Sequence, residues 1–230
     1  MASDPVDRLI ECGVFESVEG ESQLRTTASF GDAVSAHETT LAESDTDGIR
    51  DAVSELTDDP ETAAALCAGA EYDPTLLARY VAITERATDL VPAQALALSV
   101  LVDQLETDLP RSKGSPEAFF PVRGSDLVRL VSAYERCVVY AWREDCPSCD
   151  VVRSDFDELF ADGAPDDVML LSVYGPDCAE LLEDEYDIVV APTTVFTLEG
   201  TVDARLVGKP AFETLESEVE RIRERTLPSA

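Results

Sequence analysis

Val138-Val139-Tyr140-Ala141-Trp142-Arg143-Glu144-Asp145-Cys146-Pro147-Ser148-Cys149 is the stretch that decides the fold of the surrounding half of the chain. Val138, Val139 and Tyr140 are a β-branched and aromatic run, which predicts a buried strand. After Cys149, residues Val151, Val152, Phe156, Leu159 and Phe160 recur at helical spacing, so a helix begins at Cys146 and contains Cys149. The first N–H groups of a helix lack intrahelical partners and carry the positive end of its dipole, which favours an anion there. A thiolate at Cys146 would be such an anion, and thiolate is the nucleophile of disulfide exchange. Pro147 suits the first turn, where its missing N–H costs nothing. Two intervening residues let the sulfurs close a small ring. Taken alone, Cys-x-x-Cys also fits half of a zinc site or two unrelated core cysteines.

A second signal lies downstream, in Tyr186-Asp187-Ile188-Val189-Val190-Ala191-Pro192-Thr193-Thr194-Val195-Phe196. Proline opens an apolar strand here, a place where it is tolerated only at an edge, a first position or a bulge. It also invites a cis bond. A turn at Gly200, a strand over Thr201–Val207, Gly208 and an amphipathic helix from Ala211 follow.

This arrangement resembles the thioredoxin family. The likeness rests on Trp142, Cys146-Pro147-Ser148-Cys149, Tyr186, Ala191-Pro192-Thr193, Glu199-Gly200 and Val207-Gly208, and covers residues 118–226, about half the chain. It implies an α/β domain with a mixed sheet between helices. The expected strands are Phe119–Val122, Arg136–Trp142, Val168–Val173, Thr193–Leu198 and Thr201–Val207. The expected helices are Asp126–Glu135, Cys149–Ala161, Asp177–Glu185 and Ala211–Arg225. The resemblance implies that Cys146 attacks and Cys149 resolves. It further implies that Pro192, in cis, faces the sulfurs and offers the backbone of Ala191 to an extended substrate, with Trp142 packed beneath. Trp142 reads equally as a plain core aromatic.

The sequence departs from the family at three places. Asp145 stands where a second tryptophan is usual. Tyr140 occupies the position, six residues before Cys146, of a buried acid thought to relay protons to the resolving thiol. Val173 replaces the lysine that pairs with that acid. Glu144 and Asp145 also place negative charge beside Cys146, opposing the helix's effect on a thiolate. The dipeptide Pro147-Ser148 matches neither the usual thioredoxin nor the isomerase pair, so substrate choice and direction of exchange stay open.

Lysine and arginine number 17 against 48 acids, a net charge of −31. Only Lys113 and Lys209 are lysines. Acid excess with lysine nearly absent reads as adaptation to molar salt, where a Debye length of ~3 Å screens the self-repulsion; an acidic surface for a basic partner is the alternative. Met1-Ala2-Ser3-Asp4-Pro5 lacks the basic and apolar regions of a secretory signal, and Pro92–Val102 is too short to span a bilayer, so a cytoplasmic location is expected. In that compartment six cysteines point to catalysis or metal binding rather than a disulfide framework. His37 stands alone and no second Cys-x-x-Cys exists, so neither a metal nor a cofactor is expected.

Residues 1–110 are expected to form a mainly helical domain, 111–117 a linker of turn formers, and 118–230 the thioredoxin-like domain. Val6, Leu9 and Ile10 open a short helix. Val14–Val18 and Gln23–Thr27 read as a hairpin turning at Glu19-Gly20. Helices are expected at Gly48–Leu56, Pro60–Gly69, Pro74–Leu90 and Pro92–Leu109, with Asp59 and Asp73 as caps. Leu76, Leu77, Tyr80, Val81 and Thr84 would face the core from the third of these; Leu96, Leu98, Val100, Leu101 and Leu105 from the fourth. A helix before a hairpin is loosely like part of a winged helix. Residues 1–110 hold five basic and 23 acidic residues, however, and no cluster to meet phosphates, which argues against nucleic acid. Arg111 and Lys113 read as linker solvation. Cys178 falls near a position where some thioredoxins carry a regulatory cysteine, and reads otherwise as a buried helix cysteine.

The expected function is thiol–disulfide exchange with protein disulfides, supplied by a reductase or other thiol donor, with no nucleic acid and no membrane. The alternative is a redox-responsive adaptor whose helical half binds a partner protein without turnover.

Overall fold

The computed structural model describes residues 5–17, 24–42, 44, 46–72, 74–107 and 109–225. They fall into two units, Met1–Asp108 and Leu109–Ala230.

The first unit runs α1 (Pro5–Glu11), β1 (Phe15–Ser17), β2 (Leu24–Thr26), α2 (Ala28–Ala42), α3 (Thr46–Leu56), α4 (Pro60–Tyr72), α5 (Pro74–Arg86) and α6 (Pro92–Glu106). β1 and β2 pair antiparallel with Phe15 opposite Thr26. The turn expected at Glu19-Gly20, with Val18 and Gln23, lies outside the described residues, as does the cap expected at Asp73. Prolines 60, 74 and 92 open α4, α5 and α6, each where the missing N–H is harmless. Asp59 caps α4 by accepting the Thr62 N–H at 3.1 Å.

α5 is the hub of this unit, packed on α2, α4 and α6. Being covered on several sides, it has no single apolar stripe: Ala82 and Ile83 are buried, while Val81 and Thr84, expected on the core face, are only half-buried. α6 differs from expectation for the same reason. Ser99, Val102 and Gln104 are buried, Leu101 is half-buried and Leu105 is exposed. Arg79 of α5 is buried and is held by Asp103 at 2.7 Å and Glu106 at 2.9 Å, the pairing a buried charge requires. α2 was not expected from the sequence. Its large buried residues are Phe30, Val34 and Leu41, and packing on α5 supplies what its polar Ser/Thr-rich pattern lacks.

The second unit runs β3 (Phe120–Val122), α7 (Gly124–Ala133), β4 (Arg136–Trp142), α8 (Pro147–Leu159) and β5 (Met169–Tyr174). A 3-10 turn (Gly175–Asp177) leads to α9 (Ala179–Tyr186), β6 (Thr193–Leu198), β7 (Thr201–Val207) and α10 (Phe212–Glu224). The sheet order is β3-β5-β4-β6-β7. β3 and β4 run parallel to β5, whereas β6 runs antiparallel to β4 and β7. β4 is buried along its length apart from Arg136, as expected of a strand covered on both faces. Side chains alternate across it. Val138, Tyr140 and Trp142 share a core with Val152 and Phe156 of α8 and Leu215, Val219 and Ile222 of α10. Cys137 points the other way, its sulfur 4.0 Å from the Leu130 carbonyl of α7. Glu199 and Gly200, both with positive φ, make the tight β6–β7 turn. The second unit thus has the thioredoxin-like fold, a mixed sheet between helices. The whole chain is α/β, with a mainly α-helical first unit that includes a short hairpin.

Residues 111–117, expected as a linker, fall in the second unit and pack on it. Ser115 Oγ is 2.6 Å from Ser172 Oγ of β5, and the Glu117 N–H donates to Asp157 of α8 at 2.7 Å. Small and turn-forming residues make a flexible linker, but they also let a backbone approach a packed surface closely.

Candidate active site

β4 ends at Trp142, and the exposed turn Arg143-Glu144-Asp145 leads to the helix. Asp145 has φ 52°, the left-handed region that Asp tolerates better than most residues. Cys146 is the N-cap of α8, in extended conformation, with Pro147 in the first turn. Its Sγ accepts the Cys149 N–H at 3.1 Å and lies 3.4 Å from Ser148 Oγ. The sulfur therefore takes the place that a serine or aspartate oxygen holds at an ordinary N-cap. Cys146 and Cys149 are joined by a disulfide, with their Cα atoms 5.2 Å apart.

Two other chain segments complete the site. The Ala191–Pro192 peptide is cis, and the Ala191 carbonyl oxygen is 3.9 Å from Cys146 Sγ. Thr193 Oγ1 donates to the Val190 carbonyl at 2.6 Å and steadies this loop. Cys146 is 5 % and Cys149 4 % exposed, so accessibility does not separate them; the N-cap position does. On the side of the cis peptide, Val189, Val190 and Val207 are exposed, and Val207 pairs with Thr193.

Trp142 is buried in the same cluster as both sulfurs. Its ring meets Tyr174, its neighbour across the β4–β5 ladder, edge to face at 4.9 Å. Its indole N–H has no hydrogen-bond partner among the described residues. Tyr140, at the position where the family commonly has an acid, donates its hydroxyl to the Cys149 carbonyl at 2.8 Å. Burial drives its pKa upward, so the phenol stays neutral and acts as an anchor for the first turn of α8. Tyr174 was missed in the sequence. The one available signal was an aromatic residue ending a second strand of similar length beside Trp142.

Cys178 precedes α9 and is half-buried, with its sulfur 3.7 Å from the Tyr174 carbonyl. It lines a groove of about 820 Å3 with Arg111, Gly124 and Tyr174; neither Cys146 nor Cys149 borders that groove. Burial first, then the charge of Asp177, pushes the Cys178 thiol up to about 11. At pH 8 its thiolate fraction is then about 0.1 %, against roughly a quarter for an ordinary thiol. Alkylation by iodoacetamide should be about 200-fold slower than for a small-molecule thiol, rising roughly tenfold per pH unit up to that pKa. Labelling of Cys178 at the reference rate would contradict this.

His37 pairs with Glu85 at 3.1 Å on the surface. Among the described residues no group of three or more His, Cys, Asp or Glu side chains could hold a metal, and no helix is long and apolar enough to cross a membrane.

The fold and the paired cysteines make the second unit a thioredoxin-like domain; the first unit has no recognised family. Among solved structures, the chain is similar to a mutant thioredoxin from Halobacterium salinarum NRC-1, at 19% identity over 49% of this chain and 97% of that one, with a TM-score of 0.42. It is similar to spinach chloroplast thioredoxin F (long form), at 19% identity over 48% and 88%, TM-score 0.41. Mitochondrial thioredoxin 3 from Saccharomyces cerevisiae matches at 14% identity over 45% and 94%, TM-score 0.40. No family model matches the chain, and no curated protein does.

Proposed function

We propose that the second unit is a thiol–disulfide oxidoreductase acting on protein disulfides, with Cys146 as nucleophile and Cys149 as resolving thiol. The observation that carries this reading is the placement of Cys146 Sγ, which caps α8, accepts the Cys149 N–H and faces the Ala191 carbonyl. Donors aimed at one sulfur favour its thiolate over that of its partner.

Cys146 thiolate attacks one sulfur of a client disulfide, forming a mixed disulfide and releasing the other client sulfur as thiolate. Cys149 then attacks Cys146 Sγ, and the S–S bond to the client breaks. The client has gained two electrons, and Cys146–Cys149 is the disulfide of the present structure. A thiol donor or reductase returns it to the dithiol. Ala191 would hold the client's extended backbone, with Val189, Val190 and Val207 as an apolar rim for its side chains. Trp142 and Pro147 shape the floor and lip of the same site. In a reducing cytoplasm the dithiol is the resting form and clients are reduced.

A redox-responsive adaptor remains the second reading, supported by the absence of an ionisable relay at Tyr140. Two measurements on the full chain in molar KCl separate these readings. Cys146–Cys149 should titrate as one reversible two-electron couple against glutathione, and catalytic amounts should speed reduction of a protein disulfide by dithiothreitol. A reversible couple without turnover would select the adaptor; independent alkylation of the two cysteines, with no pairing, would end both readings.

A further inference from the structure

The chain enters the second unit through a segment that grips the surroundings of the dithiol. Gly114 lies flat against Trp142, where an added Cβ would stand 2.2 Å from Cε3 and 2.5 Å from Cζ3. No residue other than glycine fits there unless the indole or the segment moves. The Lys113 carbonyl accepts from Arg153 of α8 at 3.2 Å, one helical turn beyond Cys149. Arg111 sits over the Tyr174 ring with Cζ 4.7 Å from its centroid. Its guanidinium also reaches Glu144 at 3.2 Å, in the turn before Cys146, and Asp177 at 3.4 Å. Arg111 over Tyr174, Tyr174 edge-on to Trp142, and Trp142 in the cluster that holds both sulfurs therefore make one continuous run of packing.

We propose that residues 111–115 are a positioning strap for the dithiol, with Gly114 and Arg111 setting how readily Cys146 and Cys149 close their disulfide. The inference rests on the oxidoreductase reading above. Both sulfurs share a buried cluster with Trp142. Reduction replaces one S–S bond by two thiols that need more room, and the indole is the large neighbour that must yield it. The strap occupies the space beside the benzo ring and so favours the closed disulfide. Arg111 is half-exposed, so its ion pairs add little; its stacking on Tyr174 is the contact that persists in molar salt.

The test is the equilibrium of the full chain with glutathione in molar KCl, in which protein dithiol and glutathione disulfide give protein disulfide and two glutathiones. Gly114→Ala, whose methyl group forces the strap off the indole, should lower the constant for ring closure about fivefold, roughly 20 mV at 29.6 mV per tenfold. It should also change the emission of Trp142, the only tryptophan. Arg111→Ala should lower the constant about threefold. Arg225→Gln, which removes a bridge to Asp203 within the same unit, should leave it unchanged, separating positioning from general stability. A constant within about 1.5-fold of wild type in Arg111→Ala, or in Gly114→Ala despite altered emission, overturns the proposal, as does a shift toward the disulfide. Should Gly114→Ala not fold, Arg111→Ala decides. If wild type shows no two-electron couple, the oxidoreductase reading fails and this one falls with it; a normal wild-type couple with unmoved variants removes the strap alone.

Discussion

Cys149→Ser is expected to stop turnover and to leave Cys146 covalently bonded to the protein it has attacked. The two sulfurs lie within one turn of α8, so the resolving step is intramolecular and already aligned. Without Cys149, release of the client depends on an external thiol at millimolar concentration. Well-oriented intramolecular groups act as if far more concentrated, so turnover should fall by at least about 10^3-fold. Cys146→Ser should abolish turnover to the same extent and trap nothing, because no thiolate remains where the Cys149 N–H and Ser148 hydroxyl point. Non-reducing electrophoresis and intact mass, after mixing each variant with an oxidised client protein, read the outcome directly. If Cys146→Ser is the variant that accumulates the adduct, the two roles are reversed. If both variants keep wild-type turnover, the exchange chemistry resides elsewhere in the chain.

The sequence made the site legible because its residues are local or bear special backbone demands. β4, β6 and β7 span the residues expected of them, and α8 starts at Pro147, directly after the cysteine that the change from strand to helical periodicity marks and that caps it. Pro192 stood out as a proline at the mouth of an apolar strand. The family resemblance added roles that spacing alone does not give. What escaped reading depends on contacts between segments distant in sequence. Ala28–Ala42 carries Phe30, Val34 and Leu41 among many small and polar residues, and its helix is secured by α5 rather than by its own pattern. Ser112, Gly114 and Pro116 advertised a linker; the indole that only a glycine can approach so closely lies 28 residues on in the chain, at Trp142. Arg111 looked like solvation, because nothing local announces an aromatic ring across the fold.

Phe156→Ala should cost about 3–5 kcal/mol, a large share of the roughly 5–15 kcal/mol that holds a domain together. Phe156 is fully buried, stacks parallel to Phe160 and meets the rings of Phe119 at 4.6 Å and Tyr140 at 5.6 Å. It lies two turns beyond Cys149 on the same face of α8, with Val152 between them. The cluster therefore fixes the helix that carries the dithiol onto the strand that leads into it. Urea unfolding in molar KCl, followed through Trp142, reports on the second unit alone, because the first has no tryptophan. A loss below about 1 kcal/mol would mean that α8 is held by something other than this aromatic core. The same experiment on the reduced chain sharpens the argument. The disulfide closes a ring with a sequence separation of only 3, which constrains the unfolded chain by about 2 kcal/mol in the entropic account. That contribution is common to wild type and variant. Oxidised and reduced Phe156→Ala should therefore lose nearly equal stability; by linkage, any difference between the two losses equals the change in the dithiol's own equilibrium. Equal losses make Phe156 a purely packing residue, whereas a greater loss in the oxidised form would place it with Gly114 among the residues that favour ring closure.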